Sequence, residues 1–297
     1  MKKRLLFGAL AIASIGFTAT SCSSDSEDTG SNSPITNNPD NGNNNGGGDN
    51  GNTAAKYQHK VLLEDITGTW CPACPSASSA INQAKANATN GSKIVAAAIH
   101  IGQSSYPDPM QIQAGTSLYQ SFFVPNYGEG GSFYFPTVTI NRATDSWSGQ
   151  GIAQFFNAIN QQGSPVGIKI SSNLTNTGGN VTANFKFSQG YENLKYSVYI
   201  VENAVKTSSS QAGTSEGANY VHNDVLRAVS GTATGNSLGT VTGGQEIIKD
   251  NQSVTYTLFN NDLSKVEVIV FVSDASGKVL NVQSAHANET VEYQILN

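Results

Sequence analysis

The stretch VLLEDITGTWCPACPSASSAINQAK, residues 61–85, decides the fold and raises the central question about this chain. Its apolar beginning predicts a β-strand that runs into a turn containing Gly68. The residues after the turn are rich in Ala and Ser, and their apolar members recur at helical spacing, which predicts a helix over 72–88. Cys71 and Cys74 stand between the two elements, in the spacing C-x-x-C.

The spacing of this pair fits three kinds of site. Zinc sites use C-x-x-C, but zinc needs about four ligands. The four histidines are single and widely separated in the sequence: His59, His100, His222 and His286. A disulfide that never opens is the second possibility, although so small a ring removes little entropy from the unfolded chain. The third is a redox pair, which the order of strand, turn, C-x-x-C and helix favours. We therefore expect no metal and no cofactor.

The position of the pair at the start of a helix predicts different roles for the two thiols. Backbone N–H groups and the dipole at a helix N-terminus favour an anion, so Cys71 is expected to be the more acidic thiol and the nucleophile. Cys74, one turn further in, is expected to be the buried resolving cysteine. Pro72 suits the first helical turn because its missing N–H has no partner there. Trp70 is expected to form an apolar lip that contacts a substrate chain.

Strands and helices alternate on the C-terminal side of this stretch. The run KIVAAAIHIG at 93–102 is apolar nearly throughout, as in a strand covered on both faces. The pattern predicts a short helix over 111–123, a strand in FPTVTINR at 135–142 and a helix in GQGIAQFFNAINQQ at 149–162. This alternation predicts an α/β layer with a mostly covered sheet over residues 57–163.

Helical periodicity ends near residue 164. The segments VGIKISSNLTN, NVTANFKFSQG, LKYSVYIVENA and SVTYTLFNND are short and separated by Gly, Asn and Asp, and several alternate apolar and polar residues. This pattern predicts an all-β sandwich over 164–297. The change of period near residue 164 predicts a boundary between two cores. In YVHNDVLR, His222 and Asp224 are either a ligand pair or ordinary strand and turn residues.

The N-terminus has the features of an export signal. Residues 1–22, MKKRLLFGALAIASIGFTATSC, combine a basic start, a short apolar run and small residues, and they are too short and wrongly flanked for a transmembrane helix. The end of this segment resembles the lipobox of bacterial lipoproteins, with Ala19 in place of the usual Leu. The resemblance implies that Cys22 is lipidated and that this lipid is the membrane anchor; simple secretion is the alternative. Residues 23–56 are mostly Ser, Asn, Gly and Asp and predict a disordered tether.

Charge and cysteine count limit the function classes. The formal net charge is −5 and becomes −8 when the signal removes Lys2, Lys3 and Arg4, so we expect no attraction to nucleic acid or to anionic lipid surfaces. Lipidation of Cys22 leaves two cysteines in an oxidising exterior, which excludes a disulfide-dense scaffold. The cluster SSDSED after Cys22 resembles the signal that sends some lipoproteins of Gram-negative anaerobes to the outer face of the outer membrane. An ordinary hydrophilic linker is the alternative.

The cysteine stretch, together with FPTV further along the chain, resembles the thioredoxin fold. The resemblance implies a cis peptide bond before Pro136, opposite the cysteine pair, and backbone pairing of Phe135 with a substrate chain. Asp65 matches the buried acid that moves protons at the resolving cysteine, and the adjacent Glu64, on the other face of the sheet, is the rival candidate. Residues 102–132 are expected to be an insertion that shapes the rim of the site.

Nearly the whole mature chain resembles the Omp28-related outer-membrane lipoproteins. The order of signal, tether, cysteine stretch, FPTVTINR and a β-rich region with YVHNDVLRAV and VEVIVFVSDASGKVLNVQSA carries this likeness. It implies an outer-membrane lipoprotein, on the periplasmic side or at the cell surface. One function class is a thiol–disulfide oxidoreductase acting on a protein client. The other is a non-catalytic surface binding or adhesion protein that uses the β sandwich, with the thioredoxin-like domain as scaffold.

Overall fold

The computed structural model describes residues 56–130, 132–143 and 145–296. The predicted signal peptide, the lipidation of Cys22 and all of the predicted tether except Lys56 lie outside the described residues. The structure therefore bears on the two predicted folded regions and on the candidate site within the first of them.

Strands dominate the described residues, and the helices are few and short. The helices are α1 (Cys74–Lys85), α2 (Gln113–Leu118), α3 (Val124–Tyr127) and α4 (Ala153–Asn157), and a π-helical turn, Tyr119–Phe123, joins α2 to α3. The strands are β1 (Lys56–Tyr57), β2 (Val61–Thr67), β3 (Ile94–His100), β4 (Thr137–Ile140), β5 (Val166–Thr175), β6 (Gly178–Phe187), β7 (Tyr191–Glu202), β8 (Val225–Ser230), β9 (Asn236–Val241), β10 (Glu246–Thr255), β11 (Val266–Ser273), β12 (Val279–His286) and β13 (Ile295–Leu296). The fold is a mixed α/β structure made mostly of β-sheet.

The largest sheet has eight strands. Its order is β12-β11-β7-β8-β3-β2-β4, and β9 is a further partner of β7. β2 and β3 are parallel, β4 joins β2 in antiparallel orientation, and β8 lies parallel to β3. A second sheet has the order β10-β6-β5, and β1 pairs with β13.

β2 and β3 lie inside the large sheet, and both of their faces are covered. Every residue of these two strands is buried, which confirms the prediction for the apolar run at 93–102. Leu62 and Ile66 belong to one apolar cluster, whereas Val61 and Leu63 belong to another, which also includes residues of α1 and α4. The alternation of a strand therefore sends neighbouring side chains of β2 to opposite faces.

The second sheet packs face to face against β7, β11 and β12. Phe185, Val198 and Val270 are fully buried in the cluster between these sheets, together with other alternate residues of the same strands. The period-two pattern that predicts strands beyond residue 164 is confirmed by β5, β6 and β7.

The separation into two cores at residue 164 is not what the structure has. β3 pairs with β8, and one apolar cluster combines Leu62 and Ile99 with Tyr199 and Phe271 from the C-terminal region. The described residues accordingly fall in one compact unit. Hydrophobic periodicity reports which face of a strand is buried but does not report which strand lies beside it, so this shared sheet leaves no local signal in the sequence.

Two predicted helices differ in length from the observed ones. The helix predicted over 111–123 continues through its π-helical turn to Tyr127. The helix predicted over 149–162 is limited to α4, where Phe155 is fully buried. These differences do not alter the surroundings of the cysteine pair.

Candidate functional site

The two cysteines of the C-x-x-C stretch are joined by a disulfide. Cys71 lies in the turn after β2, and Cys74 is the first residue of α1. The helix therefore begins later than the predicted start, and Pro75 rather than Pro72 stands in its first turn. The amide of Cys74 donates to the carbonyl of Cys71 at 3.3 Å, which closes the turn between the two cysteines.

Neither cysteine is open to solvent. Cys71 is 2% exposed and Cys74 is 1% exposed. The sequence predicts the burial of Cys74, since it faces inward from a helix. A segment that is distant in the sequence packs against the loop that contains Cys71.

This segment, which we call the strap, consists of residues 211–213 in the connection between β7 and β8. The side-chain amide of Gln211 donates to the carbonyl of Cys71 at 3.1 Å and approaches the carbonyl of Gly68 at 3.5 Å. The amide of Ala212 donates to the carbonyl of Thr69 at 2.8 Å. No local pattern in the sequence relates residue 211 to residue 71, so the strap is not predictable from the sequence.

The peptide bond between Phe135 and Pro136 is cis. β4 begins at the next residue and pairs with β2, where Thr137 lies opposite Ile66. Pro136 is therefore placed at the end of β2 from which the chain continues to Cys71. The Trp70 ring lies 5.0 Å from the Phe135 ring in an edge-on arrangement, and its Nε1 donates to the carbonyl of Ile101.

Further aromatic rings extend this surface. The ring centroids of Phe133 and Phe135 are 5.4 Å apart, and Tyr119 lies 5.0 Å from Phe133 and 5.9 Å from Phe135. Phe133 comes directly after the predicted insertion and Tyr119 comes from within it. The region between β3 and β4 therefore contributes an aromatic layer next to Trp70.

Asp65 is the buried acid on the α1 side of β2. Its Oδ2 accepts a hydrogen bond from the Ser78 hydroxyl at 3.4 Å, and its Oδ1 has no partner among the described residues. Burial raises the pKa of Asp65 to about 7, and the charge of Asp224 acts in the same direction, while the Ser78 hydrogen bond opposes them. A cavity of about 20 Å³, lined by Asp65, Ser78 and Asp224 among others, adjoins the carboxyl. Such a cavity has room for about one water molecule.

Glu64 has the opposite surroundings, although it is equally buried. Arg142 donates to both of its carboxylate oxygens at 2.8 Å, and the Tyr199 hydroxyl donates to Oε1 at 3.1 Å. The guanidinium also lies over the ring of Phe122 at 4.4 Å. A carboxylate held in this way is a structural anion, and it faces away from α1.

Two of the four histidines meet beneath the cysteine loop. The rings of His100 and His222 are 5.2 Å apart, and His100 Nδ1 lies 2.9 Å from Asp108 Oδ2. The same oxygen accepts the amide of Thr69 at 2.7 Å, which ties this cluster to the turn before Cys71. Burial and then the neighbouring His100 lower the pKa of His222 to about 4. Adjacent β3 and β8 bring the two histidines together, and the sequence does not reveal that pairing.

His222 and Asp224 do not act on one ligand. Asp224 pairs with the ammonium group of Lys85 near the end of α1, whereas the His222 ring packs against the rings of His100 and Tyr220. Among the residues that the structure describes, no three His, Cys, Asp or Glu side chains are placed to hold a metal ion.

A family model described as outer membrane protein Omp28 matches residues 123–291, more than half of the chain. The matched part includes Pro136 and the strap but not the cysteine pair. A search of curated proteins found no significant match. Within the described part of the chain, no helix has the length and apolar character required to span a bilayer.

Two solved structures are similar to this chain. HBP35 of Porphyromonas gingivalis superimposes with a TM-score of 0.60 at 18% identity, over 78% of this chain and 76% of HBP35. The protein AGR_C_4864 of Agrobacterium tumefaciens gives a TM-score of 0.51 at 15% identity, over 80% of this chain and 98% of that one. At these identities the likeness is one of fold alone.

Proposed function

The chain belongs to the Omp28 family of outer membrane proteins, and from that premise we propose that it is a membrane-anchored thiol–disulfide oxidoreductase. Cys71 and Cys74 are its redox pair. The observation that carries the proposal is their disulfide at the start of α1, on the same side of β2 as the buried carboxyl of Asp65.

The arrangement around the pair supports a thioredoxin-like domain in residues 57–163. A parallel β2–α1–β3 unit is followed by an antiparallel β4 that begins directly after the cis bond to Pro136. Residues 164–297 form the second region of the proposal, a β sandwich built from the two facing sheets. In this proposal the two regions share one sheet.

The redox pair works by two exchanges. In the reduced protein the thiolate of Cys71 attacks one sulfur of a client disulfide, so that the client's S–S bond breaks, a client thiolate leaves and a mixed disulfide forms. The thiolate of Cys74 then attacks Sγ of Cys71, the second client thiolate leaves, and the internal disulfide forms. The client gains two electrons and the pair loses two, and a client dithiol drives the same steps in reverse.

Asp65 is the proposed proton acceptor for Cys74. The Ser78 hydroxyl lies 3.4 Å from Asp65 Oδ2 and 3.5 Å from the Cys74 carbonyl, so the carboxyl adjoins the first turn of α1. Since its pKa is raised to about 7, this carboxyl both takes up and releases a proton near neutral pH. Asp65→Asn is expected to slow resolution by Cys74 more than attack by Cys71.

A client chain is expected to lie across the aromatic surface. Trp70 and Phe135 form the part next to the cysteines, and Pro136 places the backbone of Phe135 at the edge of the site.

The proposed membrane anchor is a lipid on Cys22. Mass spectrometry of the native N-terminus should then find a mature chain that begins at acylated Cys22.

The second candidate is a surface binding or adhesion protein whose β sandwich contacts a ligand. Two observations favour it: the family match covers 123–291 without the cysteines, and the disulfide is buried. In this alternative the pair is a closed staple, and the thioredoxin-like region is a scaffold.

Alkylation of the reduced protein tests the redox proposal. With iodoacetamide at a series of pH values and identification by mass spectrometry, Cys71 is expected to react first, with a midpoint below the unperturbed thiol pKa of about 8.5. Cys74 is expected to stay protected until Cys71 is blocked or the chain unfolds. The same pH series on Gln211→Ala distinguishes a thiol that the strap covers from a thiol that is intrinsically unreactive. Equal reaction of both cysteines as free thiols would reject the redox role.

A further inference from the structure

An oxidised cysteine pair exchanges only when an attacking sulfur reaches it along the S–S bond. With Cys71 at 2% exposure and Cys74 at 1%, this pair offers almost no surface to the thiol of another protein in the observed conformation. The disulfide therefore either takes no part in exchange or becomes accessible only after a part of the protein beside it moves.

The strap is packed directly against the cysteine loop. Gln211 is itself only 4% exposed, and the strap holds the carbonyls of Thr69 and Cys71 by hydrogen bonds. These contacts hold the strap against the cysteine loop, next to the disulfide that a client would have to reach.

The strap is also fitted closely to the turn below it. Gly213 has φ +77°, and a Cβ at this position would stand 1.9 Å from the carbonyl oxygen of Pro72. Only glycine combines the left-handed backbone with this approach. The close contact between the strap and the cysteine loop therefore requires glycine at residue 213. Any side chain at this position would push the strap away from the loop.

The surroundings leave room for the strap to move. It belongs to the long connection 203–224 between β7 and β8, in which Ser, Asn and Ala are the most frequent residues. An open groove of about 910 Å³ runs between α1 and residues 213–216, lined by Ser79, Gln83 and Glu216 among others. Gly213 itself lines this groove, so there is open space directly beside the strap.

We propose that the strap is a gate over the Cys71–Cys74 disulfide, and that its displacement admits a partner dithiol. This inference rests on the proposed redox function and concerns its regulation. With the gate open, a partner thiolate attacks Sγ of Cys71, and Cys74 leaves as a thiolate and takes up a proton. A second partner thiol then displaces Cys71, so that the partner becomes a disulfide and the pair becomes two thiols. Two electrons pass from the partner to the pair.

Two variants open the gate by different means. Gln211→Ala removes the side-chain hydrogen bonds to the cysteine loop, and Gly213→Ala places a methyl group against Pro72. The rate at which dithiothreitol reduces the purified, oxidised protein is measured by thiol labelling. Both variants are expected to be reduced about tenfold faster than the wild type; for Gln211→Ala this factor corresponds to the loss of about one hydrogen bond.

Ser215→Ala is the matched control, because Ser215 is exposed and lies in the same connection. It is expected to be reduced at the wild-type rate. If both variants are folded by circular dichroism and dithiothreitol reduces them at the wild-type rate, the proposal that the strap is a gate is wrong.

Hydrogen exchange of the wild-type protein provides a measurement that needs no variant. The amide of Ala212, which donates to Thr69, is expected to exchange much faster than the amides of β3, because the gate opens without global unfolding. Protection equal to that of β3 would overturn the proposal.

The gate and the redox function fail in different ways. Reduction by dithiothreitol requires no natural client. An unchanged reduction rate in the opened variants therefore rejects the gate but does not weaken the evidence that a trapped client gives for the redox function. If the opened variants are reduced faster but Cys74→Ala with Gln211→Ala traps no client, the gate is supported and the oxidoreductase is rejected.

Discussion

Asp65 and Glu64 are adjacent carboxyls in β2, and each is almost completely buried. Glu64 is held by Arg142 and Tyr199, whereas Asp65 receives only a long hydrogen bond from Ser78. A buried carboxyl without a cation keeps its proton to higher pH. The two carboxyls therefore differ because they lie on opposite faces of one strand: Glu64 is paired with a cation, and Asp65 has a pKa near neutral.

Asp65→Asn is expected to stabilise the protein at neutral pH. The pKa of Asp65 is about 7 in the folded protein, against an ordinary value of 3.8, so between pH 4 and pH 7 the folded state binds a proton that the unfolded state has lost. The contribution of Asp65 to stability consequently falls as the pH rises through this range, by on the order of 4 kcal/mol. Urea unfolding of both proteins at several pH values should show the variant's advantage growing from pH 4 to pH 7.

His222, whose pKa is lowered to about 4, imposes the opposite trend in both proteins, so the difference between variant and wild type isolates Asp65. Asp250→Asn, at an exposed carboxyl, is the control and should give no such growth. An Asp65→Asn advantage that does not change with pH would contradict the raised pKa.

Arg142→Leu is expected to destabilise the protein by about 3–5 kcal/mol, because it leaves the buried Glu64 carboxylate without its cation. Lys169→Leu is the matched control at the partly exposed ion pair with Glu292 and should cost less than about 1 kcal/mol. Urea unfolding at one pH provides both values. Equal effects in the two variants would show that the buried pair adds nothing beyond a surface pair.

At the scale of elements, α1 is held against β3 by the turn that joins them. Gly91 lies in that turn, and a Cβ there would stand 2.1 Å from the carbonyl oxygen of Lys85, the last residue of α1. The chain can turn from α1 into β3 only because this position has no side chain. α1 in turn carries Cys74, so the turn affects the candidate site.

Gly91→Ala is expected to destabilise the protein by about 1–3 kcal/mol, since backbone atoms must move to admit the methyl group. Gly190→Ala provides the comparison, because a Cβ at that glycine approaches its nearest atom, the carbonyl oxygen of Val241, only to 3.3 Å, a much milder crowding than 2.1 Å. Thermal unfolding compares the two variants. A Gly91→Ala protein as stable as the control would show that the turn is looser than its geometry indicates.

The elements around the cysteines were predictable because their signals are local. The apolar run of β3 and the small-residue spacing of α1 each specify one element, and both are confirmed. The start of α1 was less well defined, because Pro72 and Pro75 both suit a first helical turn and only the structure shows Pro75 there. The alternation in β5 and β6 likewise identified strands.

At the scale of the whole molecule, the pairing of distant elements was not predictable. His100 and His222 meet because β3 and β8 are neighbours, and Gln211 reaches Cys71 from the connection that precedes β8. Each contact joins residues more than a hundred positions apart, and composition and periodicity carry no information about such pairs. The sequence therefore located the cysteine loop between a strand and a helix but did not indicate the segment that packs against it.

The shared sheet predicts that residues 56–163 do not fold alone. Without the C-terminal region, β3 loses its partner β8, and the apolar cluster on one face of β2 loses Tyr199 and Phe271. The isolated fragment is expected to lack a cooperative unfolding transition by circular dichroism. Limited proteolysis of the mature chain should leave one resistant piece, and two stable pieces separated near residue 164 would contradict the shared core.

Client trapping in whole cells tests the redox account most directly. Cells that produce Cys74→Ala are quenched with acid and alkylated, and disulfide-linked partners are identified by mass spectrometry after reduction. Because the resolving step is lost, Cys74→Ala should accumulate mixed disulfides between Cys71 and protein clients, whereas Cys71→Ala should accumulate none. If Cys74→Ala, with the strap intact or opened by Gln211→Ala, yields no more linked partners than Cys71→Ala, the pair is a closed staple and the chain is a binding protein.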